Sequence, residues 1–175
     1  MFTSCRNMLK ENLKKAGFKE KQIYTSKKRL ALCNESRVAA VLFEDDTLTK
    51  NRSKRIYQSD GERHKRRRKY DRDISFSIAI GEYEIEKVEE IYNKFLEELP
   101  EGIYVDGNYV EIIPSTADWM DDEDTILKAK CAVQITVTCK GGVYKDTGFA
   151  KADGVNITVE KENRDGKEEH DNSNR

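Results

Sequence analysis

The chain has 175 residues, a length that suits one domain with its own core. Charged and hydrophobic residues each make up 37% of the sequence, so the charge is high for a simple globular core. No apolar run approaches the ~20 residues of a membrane-spanning helix, and the N-terminus lacks the apolar stretch of a secretory signal; neither a membrane nor a secreted protein is therefore expected.

The net charge of −1 conceals a separation of sign along the chain. Residues 50–72 include eleven Lys and Arg, whereas residues 82–124 include fifteen Asp and Glu against two Lys. The local charge of each segment is therefore a better guide to possible binding partners than the net charge of the whole chain.

The first predicted element is an amphipathic helix that stops at Gly17, with apolar residues at helical spacing. These are Phe2, Cys5, Leu9, Leu13 and Ala16. Residues 28–43 then predict two apolar strands joined by a hairpin turn at 34–36. The polar stretch 44–69 follows, and it predicts a protruding charged loop, or a hairpin with Asp60-Gly61 at its tip.

Residues 70–80 alternate between apolar and polar side chains and predict a strand. Residues 82–99 predict the strongest helix, which Pro100 ends. Its apolar face consists of Ile85, Val88, Ile91, Tyr92, Phe95, Leu96 and Leu99.

Short strands are expected at 103–105 and 108–113, around Asp106-Gly107, and a long strand at 127–138. The pair Gly141-Gly142 is expected to form a turn or bulge. A last strand is expected at 155–159, and the polar residues 161–175 are expected to be a disordered tail.

This order of elements predicts an α+β fold rather than a doubly wound one. We expect residues 1–160 to form a single domain, with one long and one short helix packed on a mixed, mostly antiparallel sheet. The charged stretch 44–69 would protrude from it, and 161–175 would be a flexible tail.

The first candidate site is the basic run 63–69. Such a run suits contact with phosphate or with an acidic protein surface, although it also fits a solvated loop. Mutual repulsion of its cations favours an opposing charge, which the acidic segment of the chain could supply in a neighbouring subunit. The candidate interface residues are Arg63, Lys65, Arg66, Arg67, Arg68 and Lys69.

The second candidate is an acidic cluster that includes Asp121, Asp122, Glu123 and Asp124. It lacks the glycine and the alternating ligands of a calcium-binding loop, so an exposed acidic surface is the favoured interpretation. We treat these four residues as partner-interface candidates, because they could pair with the basic run across a subunit boundary.

No catalytic, cofactor-binding or metal site is expected. The sequence has no phosphate-binding glycine motif. Its two histidines lie in the basic run and the polar tail, where they offer poor material for a nucleophile–base pair. The four cysteines have poor spacing for zinc and are expected to be free thiols. We therefore expect a protein that is not an enzyme.

Three groups of residues together resemble one family. The first runs from Arg72-Asp73-Ile74-Ser75-Phe76 through Ile80-Gly81-Glu82-Tyr83 to Phe95-Leu96-Glu97-Glu98-Leu99-Pro100. The second joins Val105-Asp106-Gly107-Asn108-Tyr109-Val110 with Asp118-Trp119, and the third is the strand that reaches Gly141-Gly142-Val143-Tyr144. Over roughly residues 29–144 the chain resembles the tail terminator, or tail completion, proteins of tailed bacteriophages and phage-tail-like particles.

This resemblance implies an α+β structural protein that assembles in the bacterial cytoplasm into a virion or a phage-tail-like particle. It implies a ring, commonly a hexamer, at the head-proximal end of the tail. The ring stops polymerisation of the tail tube and forms the head–tail junction. The implied partners are further copies of the chain, the tail tube protein, neck or head-completion proteins and, in contractile tails, sheath.

Two alternatives remain open from the residues alone. The chain could be a nucleic-acid-binding module that uses the basic run 63–69, with DNA contact as its main activity. A small enzyme built around the acidic cluster is the third possibility. No membrane partner is expected.

Overall fold

A computed structural model describes residues 1–59, 61–121 and 131–149 of the chain. The helices are α1 (Phe2–Lys15), α2 (Lys27–Ala31) and α3 (Ile85–Glu97), with a 3-10 turn at Glu20–Gln22. The strands are β1 (Ile23–Tyr24), β2 (Val38–Lys50), β3 (Lys54–Ser59), β4 (Glu62–Glu82), β5 (Gly102–Val105), β6 (Asn108–Asp121) and β7 (Cys131–Gly148).

The strands form one sheet in the order β1-β2-β4-β7-β6-β5, and β3 pairs with the outer part of β4. The β1–β2 pair is parallel and the other pairs are antiparallel. This arrangement confirms the predicted α+β class with a mixed, mostly antiparallel sheet.

Helices α1 and α3 pack on the same face of the sheet and close the main core. Their buried residues include Leu9, Leu13, Val88, Ile91 and Phe95. They meet the inward side chains of the central strands, which include Ile74, Phe76, Ile78, Ile80, Val133, Ile135 and Val137. Both predicted helices are confirmed, and Gly17 ends α1 with a φ of 110°.

The opposite face of the sheet, which we call the outer face, has a smaller core beneath α2. Leu30 packs there against small and branched residues of the strands: Val38, Ala40, Leu42, Ala79 and Ala132. Beyond this patch the outer face is polar, and the hydroxyls of Ser75 and Thr138 lie 3.1 Å apart on adjacent strands.

The predicted hairpin within 28–43 is wrong. Its first half is the short helix α2, and strand β2 begins only at Val38. The Lys, Arg, Leu and Ala residues of α2 have good helix propensity. Leu30 is the residue of α2 that is buried, and a single helical turn is enough to bury it. A second, smaller error is Ile85, which is 48% exposed because it stands at the first position of α3.

The stretch 44–69 forms mostly strands rather than a loop, which confirms the hairpin that was the alternative prediction. Residues 44–50 continue β2, and β3 and β4 form a hairpin in which Ser59 is paired with Glu62 and Gly61 has a φ of 77°. The pair Gly141-Gly142 makes no turn, because β7 continues through it to Gly148. The bulge in this part of the sheet lies instead in β4, where the pairing register with β7 shifts between Arg68 and Tyr70.

The strands predicted around Asp106-Gly107 are confirmed, and both turn residues have positive φ, 50° and 72°. The predicted long strand is confirmed from Cys131 onward. Its start at 127–130, the strand predicted at 155–159 and the tail predicted at 161–175 lie outside the described residues. In the described chain, no helix has the length and apolar character needed to cross a membrane.

Candidate functional site

The sheet extends past the helices as a three-stranded arm, which we define as β3, residues 62–70 of β4 and residues 143–148 of β7. The arm begins two residue pairs beyond Gly141. A Cβ added at Gly141 would lie within 3 Å of the Met1 side chain, just before α1. No arm residue with a described side chain is buried. At ~3.3 Å per residue, the nine residues 62–70 are about 30 Å long.

Pairing register divides the basic run between the two faces of the arm, because directly paired residues in a sheet point to the same side. Arg66 is paired with Asp146, and Arg68 with Tyr144, on the side continuous with the outer face. Arg67 is paired with Lys54 and Lys145 on the opposite side. We call the first the tyrosine–arginine face and the second the basic face.

Arg66 is held firmly within the tyrosine–arginine face. Its Nε and Nη2 donate to the two carboxylate oxygens of Asp146 at 2.8 and 2.7 Å, and Nη1 donates to Asn108 Oδ1 at 3.0 Å. Its guanidinium lies 5.2 Å from the ring centre of Tyr57 and 5.8 Å from that of Tyr144. The hydrogen bonds from Arg66 lower the pKa of Asp146. The hydrogen bond from Arg66 to Asn108 connects the arm to the β5–β6 hairpin.

Arg68 is also held by neighbours on this face. Its Nη2 donates to Gly141 O at 2.7 Å, and its Nε lies 2.6 Å from Asp71 Oδ1. A side chain at position 142 would be crowded by Arg68, since a Cβ there would lie 2.8 Å from Nε. Gly142 therefore allows the arginine to lie flat across β7.

A cleft of about 700 Å³ opens beside these arginines, between the arm and the β5–β6 hairpin. Four tyrosines line it: Tyr57, Tyr104, Tyr109 and Tyr144. Tyr104 is 77% exposed and meets Tyr109 edge-to-face at 5.4 Å. Tyrosine and arginine are enriched at the energetic centres of protein–protein interfaces, so this cleft has the composition of a protein-binding surface.

The basic face has the opposite character. Lys54, Arg63, Lys65, Arg67 and Lys145 share it by alternation and register. A second cleft, of about 420 Å³, adds Lys50, Arg52 and Lys69 at the base of the arm. Across residues 1–59, 61–121 and 131–149, none of these eight cations forms an ion pair.

The structure thus separates the six predicted basic residues into two groups. Arg66 and Arg68 are bound to groups of their own chain, whereas Arg63, Lys65, Arg67 and Lys69 have free charges within the described part of it. Sequence reasoning missed Asp146, Asn108 and the cleft tyrosines, which are distant in sequence. The cleft tyrosines could have been found from the sequence, because each of them lies near a predicted turn.

The acidic candidates are less completely described. Asp121 ends β6, and residues 122–124 lie outside the described residues. Other acids lie on the exposed side of α3, where Glu90 pairs with Lys94 at 3.0 Å and Glu84 with Lys87 at 3.1 Å.

Groups suited to metal or acid–base chemistry are dispersed. His64 stacks on Tyr57 at 5.4 Å in the arm, whereas Cys5 and Cys139 lie in the main core. A hydrogen bond with Cys5, together with burial, raises the pKa of Cys139. No cluster of three metal-ligating side chains occurs within the described segments.

No protein-family model matches the chain. No curated protein sequence matches it either.

Proposed function

We propose that this chain is a ring-forming structural protein of the tail terminator class, which caps the head-proximal end of a phage or phage-like tail. The observation that carries the proposal is the arm. Small sheets generally need an apolar face packed on something to be stable, yet none of the arm's described side chains is buried. Contact with a neighbouring subunit supplies the missing packing.

The tyrosine–arginine face is the surface proposed to make this contact. Tyr104 and Tyr109 on the β5–β6 side of its cleft offer large exposed apolar area at low conformational cost. Arg66 and Arg68 are already oriented and are neutralised by Asp146 and Asp71. The proposed contact joins the arm of one subunit to the helix layer of the next and is therefore heterologous. A heterologous contact gives a closed ring when its rotation closes, and an open filament when it does not. The resemblance at 29–144 gives such a ring its proposed place, with tube, sheath and neck proteins as neighbours.

Assembly is tested on the purified full chain by sedimentation velocity and negative-stain electron microscopy. We expect closed rings, and we expect Tyr104→Ser to weaken association more than tenfold, as truncation of an interface hot spot does. Leu32→Ser is the matched control, since Leu32 is 81% exposed on the α2 side, away from the arm. A monomeric parent at 100 µM, or equal association of the two variants, would contradict the proposal.

The capping role needs a second measurement. Tail tubes assembled with the protein should have a fixed length and carry the ring at one end. Tubes assembled without it should vary in length. Tubes of the same fixed length in both preparations would leave a ring-forming protein that is not a terminator.

A further inference from the structure

The basic face of the arm is a concentrated patch of uncompensated charge. Lys54 and Lys145 flank Arg67 on the neighbouring strands, which lie about 4.8 Å away on either side. The arm's described acids do not relieve this repulsion, because Glu62 and Asp146 share the other face with Arg66.

The composition of the patch distinguishes between two kinds of anionic partner. Five of its eight cations are lysines, and lysine is depleted in the cores of protein–protein interfaces. Four tyrosines line the cleft beside the tyrosine–arginine face, whereas the cations of the basic face have aromatic neighbours in Tyr70 of the second cleft and in Phe149, whose ring centre lies 5.7 Å from the Arg63 guanidinium. Lysine and arginine that are not paired with acids are the groups that contact nucleic-acid phosphates.

The acids of α3, taken as a surface of a second copy, match the patch poorly. Glu90 of α3 and Glu84, which directly precedes the helix, are already paired with lysines of α3. The remaining exposed glutamates of that helix are Glu86, Glu89 and Glu97. Three carboxylates cannot neutralise eight cations, so a polyanion fits the basic face better than α3 of a second copy does.

We propose that the basic face binds the phosphate backbone of nucleic acid without sequence preference. The row Arg63, Lys65 and Arg67 follows one strand, and the cluster around Lys54 and Lys69 forms the cleft at its base. This binding does not depend on ring formation, because every group involved belongs to one subunit.

The test measures binding of the full chain to a fluorescein-labelled 30-bp DNA duplex by anisotropy, between 50 and 200 mM NaCl. If about five phosphates are neutralised, the slope of log affinity against log salt should be about −4 to −5. A duplex of scrambled sequence should bind equally well. A parent slope near zero, or no binding at 50 mM salt, would overturn the proposal without any variant.

The variant K54Q/K65Q/R67Q/K69Q should bind at least tenfold more weakly at 50 mM salt. Its slope should be smaller by about one for each phosphate that is no longer neutralised. The matched control is K19Q/K21Q/K27Q/K28Q, which removes the same charge from exposed positions near β1 and α2. If both variants bound DNA equally weakly, the loss of affinity would depend on net charge and not on the basic face, and the proposal would be overturned.

Two further comparisons complete the test. Poly-glutamate that binds as tightly as DNA would assign the face to an acidic protein partner instead. Sedimentation of the same variants separates this proposal from ring assembly: we expect K54Q/K65Q/R67Q/K69Q to assemble like the parent while its DNA affinity is at least tenfold lower.

Discussion

Arg66 and Arg67 are adjacent and chemically identical, yet they have different roles in the structure. Arg66 makes three hydrogen bonds to Asp146 and Asn108, whereas Arg67 faces two cations on the neighbouring strands. Charge reversal at Arg66 would leave Asp146 without its partner and would disturb the arm. Variants that probe binding therefore belong at Arg67 and its companions on the basic face.

Phe95 is the residue whose truncation should be most costly on α3. Its side chain is fully buried in the main core, so Phe95→Ala should lower the free energy of unfolding by about 3–5 kcal/mol through reduced apolar burial and the cavity left behind. Thermal or urea denaturation measures the change. Asn93→Ala, at an exposed position of the same helix, should stay within ~0.5 kcal/mol. A parent-like melting temperature for Phe95→Ala would contradict this core.

Asp46 should make stability depend on pH. Hydrogen bonds from Arg72, at 2.5–3.2 Å, lower the pKa of the Asp46 carboxyl. A carboxyl with a depressed pKa contributes stability above its unfolded pKa, near 3.9, and the contribution disappears as pH falls toward the folded value. Asp46→Asn should therefore lower stability by about 1 kcal/mol at pH 7, and by progressively less below pH 4.

Denaturant titrations at pH 7, 4 and 2.5 measure this difference. Asp118→Asn, at an exposed position of β6, is the control and should show little change at any of these pH values. A difference between parent and Asp46→Asn that stays constant down to pH 2.5 would show that the ion pair is not its cause.

At the scale of elements, the arm depends on the pairing of Asp146 with Arg66. Asp146→Asn replaces two charge-assisted hydrogen bonds by weaker ones, and among the arm's described side chains none is buried and able to compensate. Amide hydrogen exchange should become faster at 62–68 and 143–148, whereas the buried residues 74–80 should keep their protection. Glu62→Gln is the matched control, and equal exchange rates in all three proteins would contradict this role.

The elements themselves were predictable to different degrees. Alternation of apolar residues predicts the buried part of β4, and helical spacing predicts α1 and α3, because each has one face in the core. The outer part of β4 contains no apolar residue between 62 and 69, so no periodicity marks it as a strand. Its conformation depends on hydrogen bonds to β3 and β7 on both sides, and sequence reasoning cannot anticipate such distant partners.

The candidate site was likewise predictable only in part. The density of positive charge at 63–69 was evident from the sequence, but the assignment of each cation to a face was not. That assignment depends on the register shift between Arg68 and Tyr70, where Lys69 is the additional residue. Likewise, Asp146 is 80 residues from its partner Arg66, and only the topology brings them together.

At the scale of the whole molecule, β4 and β7 each run without a break from the core into the arm. The side to which an arm residue points is therefore fixed by how many residues separate it from the core. A single residue inserted in β4 between Lys69 and the hairpin tip would move the cations beyond it onto the tyrosine side. Two residues inserted in each of the three strands would preserve both faces and lengthen the arm by about 7 Å. Insertions and deletions in this part of the chain should accordingly be tolerated in pairs, so that the reach of the arm changes in discrete steps of that size.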